Sequence, residues 1–318
     1  MPARRPFGES PLQVSPLCLG GNVFGWTCDE DASFAVLDAY VAAGGNFIDT
    51  ANVYSAWVPG NSGGESEAII GRWMAARGNR DDLIIATKVG MQGGPDQPKG
   101  LDREKIRRGA EASLGRLATD RIDLYYAHED DADTPLEETM AAFDELVREG
   151  SVRTVAASNY SAERLSEALA ASADAGLVRY EGLQPCFNLL ERAGYEGATE
   201  DVCREHGLGV APYFTLARGF LTGKYRPGVA LPNTPRAVGI SREYLNDRGW
   251  AVLAAVDEVA SVHGATPAQV SLAWLMQRPG ITSSCASATT PEQVAEIMGA
   301  VDLALAPQEM TLLDSVGR

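Results

Sequence analysis

The sequence predicts an α/β protein of the (β/α)8 TIM-barrel class, and three observations carry that prediction. Short apolar runs alternate with amphipathic stretches along the 318-residue chain. Eight of those runs are apolar on both sides, as parallel strands covered by helices should be. Their starts fall 26 to 39 residues apart until the last interval, a spacing that suits an eight-fold barrel better than an open, doubly wound sheet.

Taken in order, the strands are expected at 16–19, 47–49, 83–88, 122–126, 152–156, 182–184, 208–212 and 281–285. Helical stripes lie between them. Ile106, Ala110, Leu114 and Leu117 stand four, four and three apart, and Leu136, Met140, Phe143 and Val147 four, three and four, so each set lines one face of a helix. Residues 1–318 are read as one barrel domain. The long last interval holds a Pro- and Gly-rich stretch from Lys224 to Asn246, including Pro227, Gly228, Pro232, Pro235 and Gly239, read as a functional or mobile loop, within a cofactor clamp at about 217–246.

Composition narrows the function classes. With 27 Lys and Arg against 43 Asp and Glu, the net charge is −16, which disfavours nucleic acid and anionic membrane surfaces as partners. No apolar run reaches the ~18 residues of a membrane span, and the first residues lack a signal-peptide core, so a cytoplasmic location is expected. The five cysteines, Cys18, Cys28, Cys186, Cys203 and Cys285, are scattered and form no C-x-x-C pair; reduced thiols and no metal site are expected.

A barrel places its chemistry just beyond the C-terminal ends of its strands. The polar residues there are Asp49 and Tyr54, Lys88, His128, Ser158 and Asn159, Gln184 and Tyr213. An acid, a phenol, an ammonium and an imidazole on one face make a proton donor for a carbonyl. The Lys88 ammonium should favour the phenolate and bring Tyr54 closer to neutral pH, with Asp49 holding Lys88 and His128 orienting the substrate oxygen. Singly, each has an ordinary structural explanation: a salt bridge, a packed phenol, a core histidine.

Together these segments resemble the aldo-keto reductase family, in the branch related to potassium-channel β subunits. The resemblance rests on Gly45-Asn46-Phe47-Ile48-Asp49-Thr50-Ala51-Asn52-Val53-Tyr54, Ile84-Ile85-Ala86-Thr87-Lys88 and Asp123-Leu124-Tyr125-Tyr126-Ala127-His128. It continues through Ala157-Ser158-Asn159-Tyr160-Ser161, Gly182-Leu183-Gln184-Pro185 and Gly219-Phe220-Leu221-Thr222-Gly223-Lys224-Tyr225. It implies a tetrad of Asp49, Tyr54, Lys88 and His128 and hydride delivery from a nicotinamide to a carbonyl. It also implies that Ser158, Asn159 and Gln184 bind the carboxamide and that Tyr213 stacks on the ring.

For the rest of the cofactor, the resemblance points to Thr289 and Gln293 after the eighth strand and to Arg218, Lys224 and Arg236 after the seventh. The former segment has no Lys or Arg between Arg278 and Arg318, and Ser287 and Ile297 replace the usual Gly and Asn. The basic loop favours NADP(H), with NAD(H) as the alternative. Trp26, Trp57 and Phe187 are expected to wall the pocket of a small carbonyl substrate, Trp57 from a loop longer than usual. Glu129, Asp130 and Asp131 suggest an acidic rim unfavourable to anionic substrates.

Two other readings compete. The G-x-S-x-G string Gly60-Asn61-Ser62-Gly63-Gly64 lies in mid-loop, without the preceding strand that a hydrolase nucleophile needs. A nicotinamide-binding regulatory subunit with little turnover is the other; the filled tetrad favours an enzyme.

Overall fold

The computed structural model describes residues 3–94, 97–234 and 236–317; Pro235 and Arg318 therefore lie outside it. Eight parallel strands form the barrel wall: β1 (Leu17–Gly20), β2 (Phe47–Asp49), β3 (Ile84–Val89), β4 (Ile122–Ala127), β5 (Val152–Ser158), β6 (Gly182–Gln184), β7 (Gly209–Val210) and β8 (Ser284–Ala286). From β1 to β7 each strand pairs with the next, and β8 pairs with β1. The wall closes where Val210 bridges Ile281 and the Cys285 amide donates to the Pro212 carbonyl at 3.0 Å. The expected barrel is present, with strand bounds within a few residues of those expected.

Burial explains the strands. Every residue of β3 and β4 is buried, because their outer sides meet helices and their inner sides meet one another. Helices α1 (Glu30–Ala42), α2 (Glu65–Arg77), α3 (Arg103–Leu117), α4 (Leu136–Arg148) and α5 (Ala162–Ala175) separate the first six strands. The expected stripes face inward: Ile106, Ala110 and Leu117 on α3, and Leu136, Met140 and Phe143 on α4, are buried. Asp102 and Ser161 cap α3 and α5 by accepting backbone N–H groups.

The barrel's floor is an element that the sequence does not announce. Two-residue strands, Arg5–Pro6 and Gln13–Val14, form a hairpin whose Phe7 and Leu12 enter the barrel interior beside Phe47, Ile84 and Leu124. Phe7 fits because Gly182 and Gly209 lack side chains; an added Cβ would lie 2.4 and 3.0 Å from its ring. Strands this short carry no readable periodicity.

The segment before β8 is only partly a loop. After α6 (Ala198–Glu205) and β7, residues 237–243 form a short helix, α7 (Ala237–Glu243), where a loop was expected. Ile240 is buried and Tyr244 packs on Phe220, whose ring also meets Tyr225 and Trp250, so aromatic contacts hold the segment against the barrel. Helices α8 (Asp247–His263) and α9 (Pro267–Met276) then lead to β8, followed by α10 (Pro291–Met298) and α11 (Pro307–Ser315). Among the described residues, no helix is long and apolar enough to cross a membrane.

Candidate active site

Asp49 ends β2, Tyr54 follows it by one turn, Lys88 lies on β3 and His128 follows β4, so four separate chain segments converge. Lys88 is fully buried, and its three N–H donors are all used. Nζ donates to Asp49 Oδ2 at 2.6 Å, to the Thr50 carbonyl at 2.8 Å and to Tyr54 Oη at 2.9 Å. Tyr54 Oη in turn donates to Asp49 Oδ2 at 3.1 Å. The phenol is thus fixed at the edge of a buried ion pair while its ring remains partly exposed.

This arrangement corrects the expected proton chemistry. Burial pushes the Tyr54 phenol well above its ordinary value, and the Asp49 carboxylate adds to the shift. Low-dielectric surroundings and the nearby anion outweigh the ammonium that was expected to bring Tyr54 towards neutrality. Burial, then the Lys88 charge, holds the His128 imidazole well below its ordinary value. Both groups are therefore neutral near pH 7, and the phenol keeps the proton that an acid must donate. The His128 ring lies 6.2 Å from the Tyr54 ring, and its buried Nδ1 has no hydrogen-bond partner among the described residues.

The next strand ends form one polar chain. Ser158 Oγ donates to the Gln184 carbonyl at 2.9 Å. Asn159, in a left-handed conformation, donates to the His128 carbonyl at 2.9 Å and accepts from Tyr213 Oη at 2.8 Å. Gln184 Nε2 donates to Asp49 Oδ1 at 2.9 Å, a link that sequence spacing does not show. Together, Gln184, Lys88 and Tyr54 occupy both oxygens of Asp49.

A cavity of about 600 Å³ runs from Asp49 and Tyr54 to Thr289 and Gln293, lined on the way by Tyr213, Arg218, Lys224 and Arg236. Phe214, Ala217 and Arg218 all have positive φ, so the β7 loop holds three non-glycine residues in a costly conformation beside the cavity. Arg218 pairs with Glu243 at 2.9 Å, yet its buried Nε has no partner among the described residues. Among the described residues neither Lys224 nor Arg236 forms a salt bridge. Burial followed by Arg236 lowers the Lys224 pKa, and burial followed by Arg218 lowers that of Arg236. Such a cluster of desolvated cations fits a phosphate-bearing ligand. At the other end, Gln293 Oε1 accepts from the Thr289 amide at 2.8 Å and its hydroxyl at 3.1 Å. Gly20, Asn22 and Cys285 also line the cavity without having been expected there; the Gly20-Gly21 pair at the end of β1 was the available signal.

The three expected pocket walls divide. Trp26 and Trp57 meet edge to face with centroids 5.5 Å apart, and Trp57 meets Tyr54 at 6.2 Å while remaining 49% exposed. Arg236 lies over Trp26 at 5.2 Å, joining the basic loop to this wall. Phe187 does not line this cavity: its ring is fully buried against Tyr195 and Trp274, an aromatic cluster that takes it into the core.

The acidic rim is likewise compensated. Glu129 pairs with Lys99 at 3.0 Å and Asp130 with Arg164 at 2.8 Å, while Asp131 accepts the Leu101 amide and the Thr134 hydroxyl. The cations come from distant segments, so local sequence overstated the negative field. Ser62 lies in the loop before α2, with its amide donating to Glu65, in no strand-to-helix elbow.

A parallel barrel whose strand ends gather an acid, a lysine, a tyrosine and a histidine beside a long basic cavity has the frame of a cofactor-dependent oxidoreductase. Comparison identifies which kind. The profile of the "Aldo/keto reductase family" matches residues 16–318. The chain is 35% identical to the uncharacterized oxidoreductase YrpG of Bacillus subtilis, over 97% of this chain and 94% of that protein. It is 33% identical to a probable voltage-gated potassium channel subunit beta of Arabidopsis thaliana, over 93% and 90% of the two chains. Norsolorinic acid reductase B of Aspergillus parasiticus is 32% identical, over 96% of this chain and 81% of that protein. The chain belongs to the aldo/keto reductase family, and it is an NAD(P)H-dependent aldo-keto reductase.

Proposed function

We propose that this protein reduces an aldehyde or ketone to an alcohol with NADP(H), Tyr54 donating the proton. The observation that carries this reading is the Tyr54 phenol hydrogen-bonded to both Lys88 and Asp49. A nicotinamide held in this cavity would supply the hydride. Ser158, Asn159 and Gln184 would hold its carboxamide and Tyr213 its ring face; Arg218, Lys224 and Arg236 would meet the phosphates, and Thr289 and Gln293 the adenosine end. His128 would orient the substrate oxygen towards Tyr54. The filled tetrad supports turnover over a purely regulatory role. We further infer a single barrel domain with residues 217–246 as the cofactor clamp, in a cytoplasmic protein.

Assays of NADPH oxidation with a panel of aldehydes, ketones, quinones and sugars test the activity; no turnover with any of them, despite NADPH binding, would favour the regulatory reading. For the cofactor, Arg236→Ala should weaken NADP(H) binding about 10- to 100-fold, the weight of one charge-assisted hydrogen bond to a phosphate. NAD(H) should lose less, which titration of both cofactors measures. An unchanged preference would remove Arg236 from the phosphate site.

The Trp26–Trp57 wall supports bulky, apolar carbonyl substrates. Trp57→Ala should raise KM for aromatic aldehydes about 3- to 10-fold, the worth of an aromatic pair, and leave short aliphatic aldehydes nearly unchanged. Equal effects on both classes would mean that Trp57 only stiffens its loop.

A further inference from the structure

The barrel closes between its first and last strands, and each contributes a cysteine at the same level. Cys18 on β1 and Cys285 on β8 are register partners in a parallel pair. In-register neighbours project to the same face of a sheet, here the barrel interior, where both pack with Phe47, Leu124 and Tyr126. Adjacent strands lie about 4.8 Å apart, within the roughly 4.4–6.8 Å between Cα atoms that a disulfide spans. The pair differs in access. Cys18 has no exposed surface, whereas Cys285 lines the cavity and its Sγ lies 3.1 Å from where a Cβ on Gly20 would stand. Cys28, Cys186 and Cys203 have no cysteine as a register partner, Cys203 lying on α6.

We propose that Cys18 and Cys285 are a modification site, a thiol pair that a hydroperoxide entering the cavity converts to an intramolecular disulfide. Cys285 meets the oxidant first. Its sulfur attacks the peroxide, the O–O bond breaks, and the products are a sulfenic acid on Cys285 and an alcohol or water. Burial, reinforced by Cys285, pushes the Cys18 thiol well above its ordinary value, which makes it a poor first nucleophile towards the peroxide. Cys18 then attacks the sulfenic sulfur, the S–O bond breaks, and water leaves with the Cys18 proton. In total two thiols lose two electrons and two protons and the peroxide is reduced. Parallel side-chain directions keep the two Cβ atoms near the strand spacing, beyond the usual ~3.5–4.5 Å, so the bond forms under strain and stays reducible by small thiols.

The test treats cofactor-free protein with tert-butyl hydroperoxide and follows intact mass and denatured thiol count. A loss of about 2 Da and of two of the five thiols, reversed by dithiothreitol, is expected. In Cys18→Ala the 2 Da loss should vanish and Cys285 should instead be trapped by dimedone as the sulfenic acid. In Cys28→Ser the disulfide should still form. Unreacted thiols in the wild type, or a 2 Da loss that survives Cys18→Ala, would overturn the proposal. A further arm rests on the proposed cofactor site: saturating NADP+ should slow oxidation at least tenfold by filling the cavity. Disulfide formation at an unchanged rate would support the thiol pair and count against the cofactor placement.

Discussion

Lys88→Met is expected to abolish measurable reduction and to destabilise the fold by about 3–5 kcal/mol, the cost of leaving one member of a buried ion pair alone. The ammonium supplies three hydrogen bonds, to Asp49, Thr50 and Tyr54, in a space without solvent. Methionine fills a similar volume but supplies none of them, leaving Asp49 with Gln184 and Tyr54. Denaturant unfolding measures the stability and turnover the activity. The double variant Asp49→Asn/Lys88→Met separates the two effects, because replacing both partners removes the unpaired charge. It should recover most of the lost stability and none of the activity. Recovery of activity with stability would show that the ion pair serves folding alone.

Tyr54→Phe is expected to lower kcat about 10²- to 10⁴-fold, the usual contribution of a positioned general acid, with cofactor affinity nearly unchanged. Phenylalanine keeps the ring between Trp57 and His128 and removes only the hydroxyl. Its structural cost is one hydrogen bond to each member of the ion pair, about 1–3 kcal/mol. The wild-type pH profile follows from the same geometry. An acid works while protonated, so its contribution is present below its pKa and lost above it, and the Tyr54 value lies above the ordinary phenol range. His128, held below its ordinary value, is neutral through the physiological range. Reduction should therefore be nearly flat from about pH 6 to 9, where an ordinary histidine (near the acid end) or a lowered tyrosine would bend it. A fall centred near pH 8 would show that Lys88 outweighs burial at Tyr54.

The barrel was legible because its strands are predominantly apolar on both sides, as the burial of all six residues of β3 and of β4 requires. The tetrad was legible because strand ends converge in such a barrel, whatever the distance in sequence between Asp49 and His128. Other features required three dimensions. The N-terminal hairpin is too short for periodicity, and α7 is concealed in a segment punctuated by Pro and Gly, its place fixed by Ile240 and Tyr244. Phe187 follows a strand as a pocket residue would, but packing turns it into the core. Lys99 and Arg164 neutralise Glu129 and Asp130 from segments 30 and 34 residues away. The sign of the Tyr54 shift depends on burial, which a list of neighbouring charges does not contain.

The most direct measurement of the account uses NADPH carrying deuterium at the transferring position, with the aldehyde that turns over best. Wild-type protein should place one deuterium on the carbinol carbon of each alcohol formed. Tyr54→Phe should bind the same cofactor with unchanged affinity and form at least a hundredfold less labelled product in the same time. Alcohol without label, or label transferred equally fast by Tyr54→Phe, would contradict the assignment of Tyr54 as the acid in a nicotinamide-dependent carbonyl reduction.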